Sequence, residues 1–453
     1  MKKITGNHNV GKSKILQLTG NEQAINKDFF KAVCIGIIFI RLLISLLPSY
    51  KTDMGGYEAW SLYLAQKGFN GFYNTFHVVY APAYMYLLLI SGKISVLFHL
   101  NYNELEFLIK LWSVAADLLG GILIYLIGKR HNKVKFGFFI FIMYSLNPGI
   151  FFNSSIWGQF DSIPATMLLF CLFLFDMNKK VTAAIVFATA ILTKPQSGIL
   201  LPVIFILFFD GFFRKKLWNS KEFWRKTFSA ALGCICTYVV LVASFYSPTT
   251  GLSVNKAENV FYRLYDFIYW LPNLYFTSVG DYPYATANAF NFWTLVGGQT
   301  VKDTERFLYG TYSFWGLFLV FLSIIFSLWF FWKNRSKPST IYITAYFFYF
   351  SVFMFATRMH ERYIFPALTF LAVALLWEEK LKYTMIGLSL CYLGNQWYVY
   401  YLSNYESKSW VSRDDKFAFF IALITILFMI YTIKYMVSIS KNHSKDNLRG
   451  DNT

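Results

Sequence analysis

Charged residues are scarce in this sequence. Only 15% of its 453 residues are Asp, Glu, Lys or Arg, whereas 56% are hydrophobic and 21% are aromatic. A soluble chain of this length could not bury so much apolar surface, so the composition predicts a polytopic membrane protein. The net charge of +18 is carried by short Lys and Arg clusters between apolar runs. That distribution is typical of membrane topology signals and disfavours a nucleic-acid partner.

Motifs for metal and nucleotide binding are also missing. The five cysteines lie inside apolar segments without metal-type spacing, and they are expected to pack as core residues. The predicted outer loops contain no D-x-D sequence, and the chain has no G-x-x-x-x-G-K-[ST] phosphate loop. A metal-bound nucleotide sugar is therefore a poor candidate ligand. We expect no cofactor and no metal, and an anion delivered from within the membrane, namely a lipid phosphate.

The apolar runs predict an all-α fold of about 12 transmembrane helices. The predicted spans are 32–48, 107–128, 136–153, 161–177, 181–194, 197–210, 227–247, 311–332, 340–357, 363–378, 383–402 and 417–437. Residues 32–437 are expected to form a single transmembrane domain. The polar segments 1–31 and 438–453 are expected to be cytoplasmic tails. Segment 1–31 is interpreted as a tail rather than a signal peptide because it lacks a cleavage-site pattern.

Lysine and arginine decide the predicted orientation. With both tails inside, the cytoplasmic segments hold 26 Lys and Arg and the outer segments hold 13, as the positive-inside rule requires. Counting 81–99 as a further span would invert the clusters that follow it, so this segment is predicted to be a surface or re-entrant helix. Segments 49–106 and 248–310 then become the two large outer loops, and the active site of a cell-membrane protein would face outside.

The first outer loop supplies a candidate base. Asp53 directly follows the first span in "DMGGYEAW", and Tyr57 and Glu58 follow on a short amphipathic helix whose entry turn is assigned to Gly55 and Gly56. A lone carboxylate here could deprotonate an acceptor hydroxyl. The alternative is that Asp53 only caps that helix. The residues predicted to bind substrate are Tyr57, Glu58, Trp157, Gln159, Asp161 and Glu361.

Two further turns carry polar residues at predicted helix ends. In "WGQFDS", Trp157, Gln159 and Asp161 precede the fourth span, where Asp161 could cap the helix, bind substrate, or do both. In "TKPQ", Lys194 and Gln196 flank a proline at a helix break. Freed backbone N–H groups and an ammonium could hold an anion there, and a snorkelling lysine is the alternative.

The late segment "TRMHERY" contains two arginines four residues apart. On a helix, Arg358 and Arg362 would face the same way, with His360 and Glu361 between them. Paired guanidinium groups match phosphate oxygens in bidentate geometry. A charged cap solvated by lipid headgroups is the competing interpretation, but two arginines on the outer side oppose the positive-inside trend and favour a functional role.

Together these motifs resemble those of the GT-C glycosyltransferases. The sequence is similar to the endoplasmic-reticulum glucosyltransferases that extend lipid-linked oligosaccharides. It is also similar to bacterial relatives of the second mannosyltransferase of GPI-anchor assembly. The shared patterns are "NP…SxxWGQxDS", "N-A-F-N-x-W" and "HER", which occur here at 147–162, 288–293 and 360–362. The likeness covers most of the chain.

The resemblance implies a role for individual residues. It implies Asp53 as catalytic base, Gln159 and Asp161 as polar residues of the outer turn, and a phosphate-binding group at Lys194, Gln196, His360 and Arg362. The sequence departs from the relatives in two places. Their "D-Y-P-P" reads "VYAP" at 79–82, so a carboxylate is absent, and their "HEK" reads "HER".

The predicted function is that of an inverting membrane glycosyltransferase. It would move a hexose from a polyprenyl-phosphate sugar, undecaprenyl phosphate in a bacterium, to a teichoic acid, another cell-wall polymer or a lipid-linked glycan. Such an enzyme would act downstream of a lipid-phosphate-sugar synthase and a flippase. A transporter or flippase of lipid-linked sugars is the main alternative, although the halves show no internal repeat. An acyl- or phosphotransferase would need a nucleophile or metal ligands that the sequence does not offer.

Overall fold

The computed structural model describes residues 25–215, 219–248, 260–278 and 280–450, and these residues are overwhelmingly helical. The helices are α1 Lys27–Ser45, α2 Lys51–Lys67, α3 Phe72–Thr75, α4 Pro82–Phe98, α5 Tyr102–Arg130, α6 Val134–Ser145, α7 Pro148–Phe151, α8 Ser162–Asp176, α9 Lys180–Thr193, α10 Leu201–Lys215, α11 Lys221–Val242, α12 Val260–Ser278, α13 Phe292–Leu295, α14 Tyr312–Asn334, α15 Ser339–Phe355, α16 Phe365–Ala374, α17 Lys382–Glu406 and α18 Lys416–Gly450. Strands β1 (Arg306–Phe307) and β2 (Gly310–Thr311) form one small antiparallel hairpin.

The predicted all-α, polytopic class is confirmed. Within the described part of the chain, four helices are long and apolar enough to cross a membrane: Tyr102–Arg130, Lys221–Val242, Tyr312–Asn334 and Lys416–Lys441. A fifth span is possible if α6 and the helical segment Pro148–Trp157, which meet at a 43° bend, count as one. Six further apolar helices have 10–17 residues.

The predicted span at 363–378 is much shorter in the structure. Helix α16 has ten residues, and all but one of them are buried. Together with α15 and α8, it forms the largest hydrophobic core of the protein. A helix enclosed in this way by other helices reads as apolar on every face. Its sequence therefore gives the same hydropathy signal as a lipid-facing span, even though it is too short to be one.

The predicted span at 136–153 is broken. Helix α6 ends at Ser145, and Asn147 caps α7 by accepting hydrogen bonds from the N–H groups of Gly149 and Ile150. A π-helical turn, Phe152–Trp157, follows directly. Such turns interrupt the regular ladder of helical hydrogen bonds and often occur at functional sites.

The predicted tails and loops contain more helix than expected. Helix α1 begins at Lys27, inside the segment 1–31, whose first 24 residues lie outside the described part of the chain. Helix α18 extends through the segment 438–453 as far as Gly450. The loop 248–310 contains α12 and α13, although 249–259 and 279 lie outside the described residues. Helical turns therefore continue past the apolar runs from which the boundaries of these segments were drawn.

Helix α4 covers the predicted surface segment 81–99 and packs closely on α2. At Gly92 of α4 the two backbones nearly touch, because a Cβ atom placed there would lie 2.0 Å from the carbonyl oxygen of Ser61. Rigid backbone fills that space, so no side-chain rotation could relieve the contact. The glycine thus fixes the position of α2 and of the residues at its N-terminal end.

We expect Gly92→Ala to destabilise the protein by about 3 kcal/mol, at the upper end of the usual cost of overpacking, because α2 and α4 must separate. Thermal unfolding in detergent measures the effect. Gly36→Ala in α1 is the matched control. A Cβ atom at Gly36 meets no atom within 4 Å, so that variant should be neutral or slightly stabilising. Equal melting temperatures for the two variants would contradict the prediction.

Candidate active site

A carboxylate held by two side-chain donors forms the centre of the candidate site. Asp53 lies in the first turn of α2, and its Oδ2 atom accepts hydrogen bonds from Trp157 Nε1 at 2.8 Å and Gln159 Nε2 at 2.5 Å. The Asp53 side chain is 17% exposed. It is not the helix cap, because Tyr50 occupies that position. The predicted entry glycines were also placed wrongly, since Gly55 and Gly56 lie within the helix.

The two donors come from the "WGQFDS" turn. The π-helical turn ends at Trp157, whose ring stacks on Tyr50 with centroids 4.2 Å apart. Gly158 follows with a φ angle of 86°, a left-handed conformation that glycine adopts readily. This reversal directs Gln159 back toward Asp53, and Gln159 N–H donates to the Asn153 carbonyl at 2.9 Å.

A buried ion pair supports this turn. Arg41 of α1 and Asp117 of α5 are both fully buried and form a salt bridge. Arg41 Nε also donates to Ser155 Oγ at 2.9 Å, and Ser154 Oγ donates to Asp117 at 2.5 Å. The pair therefore connects two helices to the π-helical turn that holds Trp157. This link could not be predicted, because Arg41 and Asp117 each stand alone within an apolar run.

Among the described residues, the positive charge closest to Asp53 is that of Arg362. Its Nη1 atom lies 4.0 Å from Asp53 Oδ2 and donates to Glu361 Oε1 at 2.7 Å. Glu361 is buried, so this guanidinium is oriented by one carboxylate while it faces another. Arg362 Nε is buried and has no hydrogen-bond partner among the described residues. An anion beside Asp53 would supply that partner.

The predicted arginine pair does not form. Helix α15 ends at Phe355 and α16 begins at Phe365, so the four-residue spacing does not lie on a helix. Arg358 has a φ angle of 63°, and its Nε donates to Asp303 Oδ2 at 2.7 Å. Arg358 therefore anchors the segment to the large loop, and Arg362 alone of the two faces Asp53.

Lys194 pairs with a carboxylate, whereas the sequence predicted that it would bind an anion or extend to the membrane surface. Its ammonium forms a buried salt bridge with Asp161 and lies between the rings of Phe160 and Tyr363, 5.3 and 5.2 Å from their centroids. Asp161 occupies the N-cap position of α8 but makes no capping hydrogen bond with its side chain, so the capping interpretation was wrong. A phosphate could reach Lys194 only by competing with Asp161.

The remaining predicted phosphate ligands lie nearby. Gln196 is in the 3₁₀ turn Pro195–Leu200, as the expected helix break requires, and its buried Oε1 atom has no partner within the described residues. The His360 ring packs edge-on against Tyr282 and Tyr363. Burial, together with the charges of Arg362 and Lys194, lowers the pKa of His360 well below its usual value. The imidazole is therefore neutral at physiological pH and adds no charge.

A chain of hydroxyl groups extends the site toward the first loop. Tyr57 is buried one turn after Asp53, and its hydroxyl lies 3.1 Å from Gln159 Oε1 and 3.4 Å from the hydroxyl of Tyr80. Tyr80 belongs to the "VYAP" sequence and is 8% exposed. Tyr80 was not among the predicted site residues, and the signal that could have indicated it is the tyrosine that "VYAP" shares with "D-Y-P-P".

Glu58 is not part of this cluster. It points away from Asp53, since residues five apart on a helix lie about 140° around the axis. Burial and the neighbouring charge of Glu106 raise the pKa of Glu58 to about 7. The structure therefore separates Glu58 from the other predicted substrate-binding residues.

The raised pKa of Glu58 predicts that the stability of the folded protein depends on pH. Between pH 4.5 and 7 the folded protein keeps a proton that the unfolded chain has lost, so the stability of the wild type falls as pH rises through this window. We expect Glu58→Gln to be more stable than wild type at pH 8, by on the order of 1 kcal/mol because the half-exposed group is screened. The difference should vanish below pH 4.5. Paired melting curves at the two pH values measure it, and a difference independent of pH would contradict the assignment.

The "N-A-F-N-x-W" motif anchors the large loop. Asn291 donates to the Phe353 carbonyl at 2.9 Å, and Trp293 Nε1 donates to the Phe355 carbonyl at 2.8 Å. Asn288 makes similar bonds to the segment that follows α17. These contacts tie the loop to the end of α15, directly before the segment that carries Arg362. Among the described residues, no group of three or more His, Cys, Asp or Glu side chains could hold a metal ion.

The described residues form an all-helical protein of the polytopic membrane class, as the sequence predicted. The chain belongs to the family described as GPI transamidase subunit PIG-U, which matches residues 57–295. It is also similar to a crystal structure of ArnT from Cupriavidus metallidurans in the apo state, with a TM-score of 0.45 and 15% identity over 90% of this chain and 77% of that one. No curated protein sequence matches the chain significantly.

Proposed function

We propose that this protein is an inverting glycosyltransferase that moves a hexose from a polyprenyl-phosphate donor to an acceptor hydroxyl. In a bacterium the donor is undecaprenyl phosphate carrying the sugar. The acceptor is a cell-wall polymer or a lipid-linked glycan at the outer face of the cell membrane. The observation that carries the proposal is the Asp53 carboxylate, fixed through Oδ2 by two donors and lying 4.0 Å from Arg362.

This arrangement suits a single displacement at the anomeric carbon. The described residues form no hydrogen bond to Asp53 Oδ1, so this atom is available to an acceptor hydroxyl. It takes the hydroxyl proton as the oxygen attacks the anomeric carbon. The bond between that carbon and the phosphate oxygen breaks on the opposite face, and the configuration inverts. Arg362 stabilises the negative charge that develops on the departing phosphate.

The direct test is turnover by the purified full-length protein. Radiolabelled undecaprenyl-phosphate hexoses are incubated with the protein and with crude cell-wall acceptor, and label in the acceptor fraction is measured. We expect transfer by the wild type that is lost in Asp53→Asn. Absence of transfer from every hexose tested, with donor binding intact, would reject the enzymatic proposal.

A second candidate is a subunit that binds a lipid-linked glycan without turning it over. The family match favours this candidate, because that family is described as a subunit of GPI transamidase. The same cluster would then hold the phosphate of the glycolipid, with Asp53 only orienting Arg362. Donor binding that persists without transfer, and that is weakened equally by Asp53→Asn and Arg362→Ala, would support this function instead.

The two candidates also differ for Arg362. For the enzyme, we expect Arg362→Ala to weaken donor binding about tenfold and to lower kcat by about a hundredfold, because negative charge on the phosphate increases in the transition state. Arg358→Ala is the control, since Arg358 is bound to Asp303 in the large loop. Steady-state kinetics and donor binding are compared for both variants. If Arg362→Ala changes neither binding nor kcat, this residue does not contact the donor.

A further inference from the structure

Each hydrogen bond in the polar chain that begins at Asp53 has a defined donor and a defined acceptor. An ionised carboxylate only accepts hydrogen bonds, so Gln159 must direct its amide nitrogen toward Asp53 Oδ2. Its amide oxygen then faces the opposite way, toward the Tyr57 hydroxyl at 3.1 Å. That oxygen can only accept, so the Tyr57 proton is used there.

The Tyr80 hydroxyl is consequently left with a proton to donate. It lies 3.4 Å from the Tyr57 oxygen, which is longer than the usual 2.5–3.0 Å range for hydrogen bonds between hydroxyl groups. The phenol ring is fixed by edge contacts with Phe160 and Trp60, at centroid distances of 4.9 and 5.9 Å. The backbone is also held, because Tyr73 donates to the Tyr80 carbonyl at 2.9 Å. A fixed, largely buried donor without a good acceptor indicates a ligand.

A chain of contacts through Tyr57, Gln159 and Asp53 connects Tyr80 to Arg362. Burial raises the pKa of Tyr80, and the guanidinium of Arg362 is close enough to lower it again. Arg362 Nε is buried and has no hydrogen-bond partner among the described residues. The two donors, Tyr80 and Arg362, come from segments that lie far apart in the sequence. One anion with several acceptor oxygens would satisfy both.

We propose that the Tyr80 hydroxyl donates a hydrogen bond to a phosphate oxygen of the lipid donor, beside Arg362. This inference rests on the proposed function. Because charge builds on the phosphate as the glycosidic bond breaks, the contact strengthens toward the transition state.

The test compares the phosphate with the corresponding alcohol. The full-length protein is titrated with undecaprenyl phosphate and with undecaprenol, and binding is followed by native mass spectrometry. We expect the wild type to prefer the phosphate and Tyr80→Phe to reduce that preference about tenfold, the usual scale for a hydrogen bond to a charged group. Undecaprenol binding should stay unchanged, because phenylalanine keeps the ring contacts and the fold.

Tyr84→Phe is the matched control. Tyr84 lies four residues after Tyr80, in the first turn of α4, and stacks on Phe160 with centroids 3.7 Å apart, so its variant removes one phenol oxygen from the same aromatic cluster. It should keep the wild-type preference. A wild type that binds both lipids equally would reject the proposed function. A preference in Tyr80→Phe equal to that of the wild type would overturn the role of Tyr80 alone.

A kinetic measurement separates substrate contact from a structural role. If Tyr80 contacts the departing phosphate, Tyr80→Phe should lower kcat by about a hundredfold, the scale measured for one oxyanion donor, with a smaller rise in KM. A variant whose kcat is unchanged and whose KM alone rises would show uniform binding and would contradict the transition-state contact.

Discussion

Asp53→Asn should retain the fold and donor binding and lose turnover by about a hundredfold or more, the usual scale for one acid–base group. The substituted amide can keep its oxygen toward Trp157 Nε1 and Gln159 Nε2, which preserves both hydrogen bonds to position 53. Its NH₂ group then occupies the place of Oδ1 and cannot accept the proton of the acceptor hydroxyl. The loss is therefore expected in kcat, measured by transfer of label from undecaprenyl-phosphate hexose.

Two carboxylates serve as controls for this result. Glu58→Gln lies on the same helix but outside the cluster, so its turnover should remain close to that of the wild type. Asp161→Asn should mainly alter donor binding, because it leaves the buried ammonium of Lys194 without its counter-charge. Full turnover in Asp53→Asn, together with an inactive Asp161→Asn that still binds donor, would assign the base to Asp161.

The sequence was informative wherever a polar group stood at the end of an apolar run. Asp53, Gln159 and Arg362 were each noted for that reason, and the structure brings them together. The boundary of a span can be predicted because hydropathy changes there. The partner of a side chain cannot, because Lys194 and Asp161 are separated by 33 positions, and nothing in either segment indicates that they neutralise each other.

Helical spacing was a poor guide in the turns. The arginine pair was predicted on the assumption that helix continued beyond position 355, yet Arg358 adopts a left-handed conformation. The large loop imposes this conformation: the Arg358 N–H donates to the Tyr284 carbonyl at 2.9 Å, and its side chain pairs with Asp303. Contacts between segments far apart in sequence override local helical preference there.

The buried pair of Arg41 and Asp117 is the second place where a large effect is expected. Asp117→Ala leaves the guanidinium of Arg41 buried without a counter-charge, and we expect it to lower the free energy of unfolding by about 3–5 kcal/mol. The double variant Arg41→Met with Asp117→Leu replaces the pair with apolar side chains and should regain most of that stability. Denaturant unfolding in detergent measures both variants.

Turnover should not recover with stability. In the double variant, Ser154 and Ser155 have lost the charged partners that hold the π-helical turn, so Trp157 and Gln159 are no longer fixed around Asp53. We therefore expect a stable protein whose kcat remains about tenfold or more below that of the wild type, since small displacements of catalytic groups are costly. If the free energy of unfolding of Asp117→Ala lies within about 1 kcal/mol of the wild-type value, the pair is not a stabilising element. If the double variant has full turnover, Arg41 and Asp117 do not position the base.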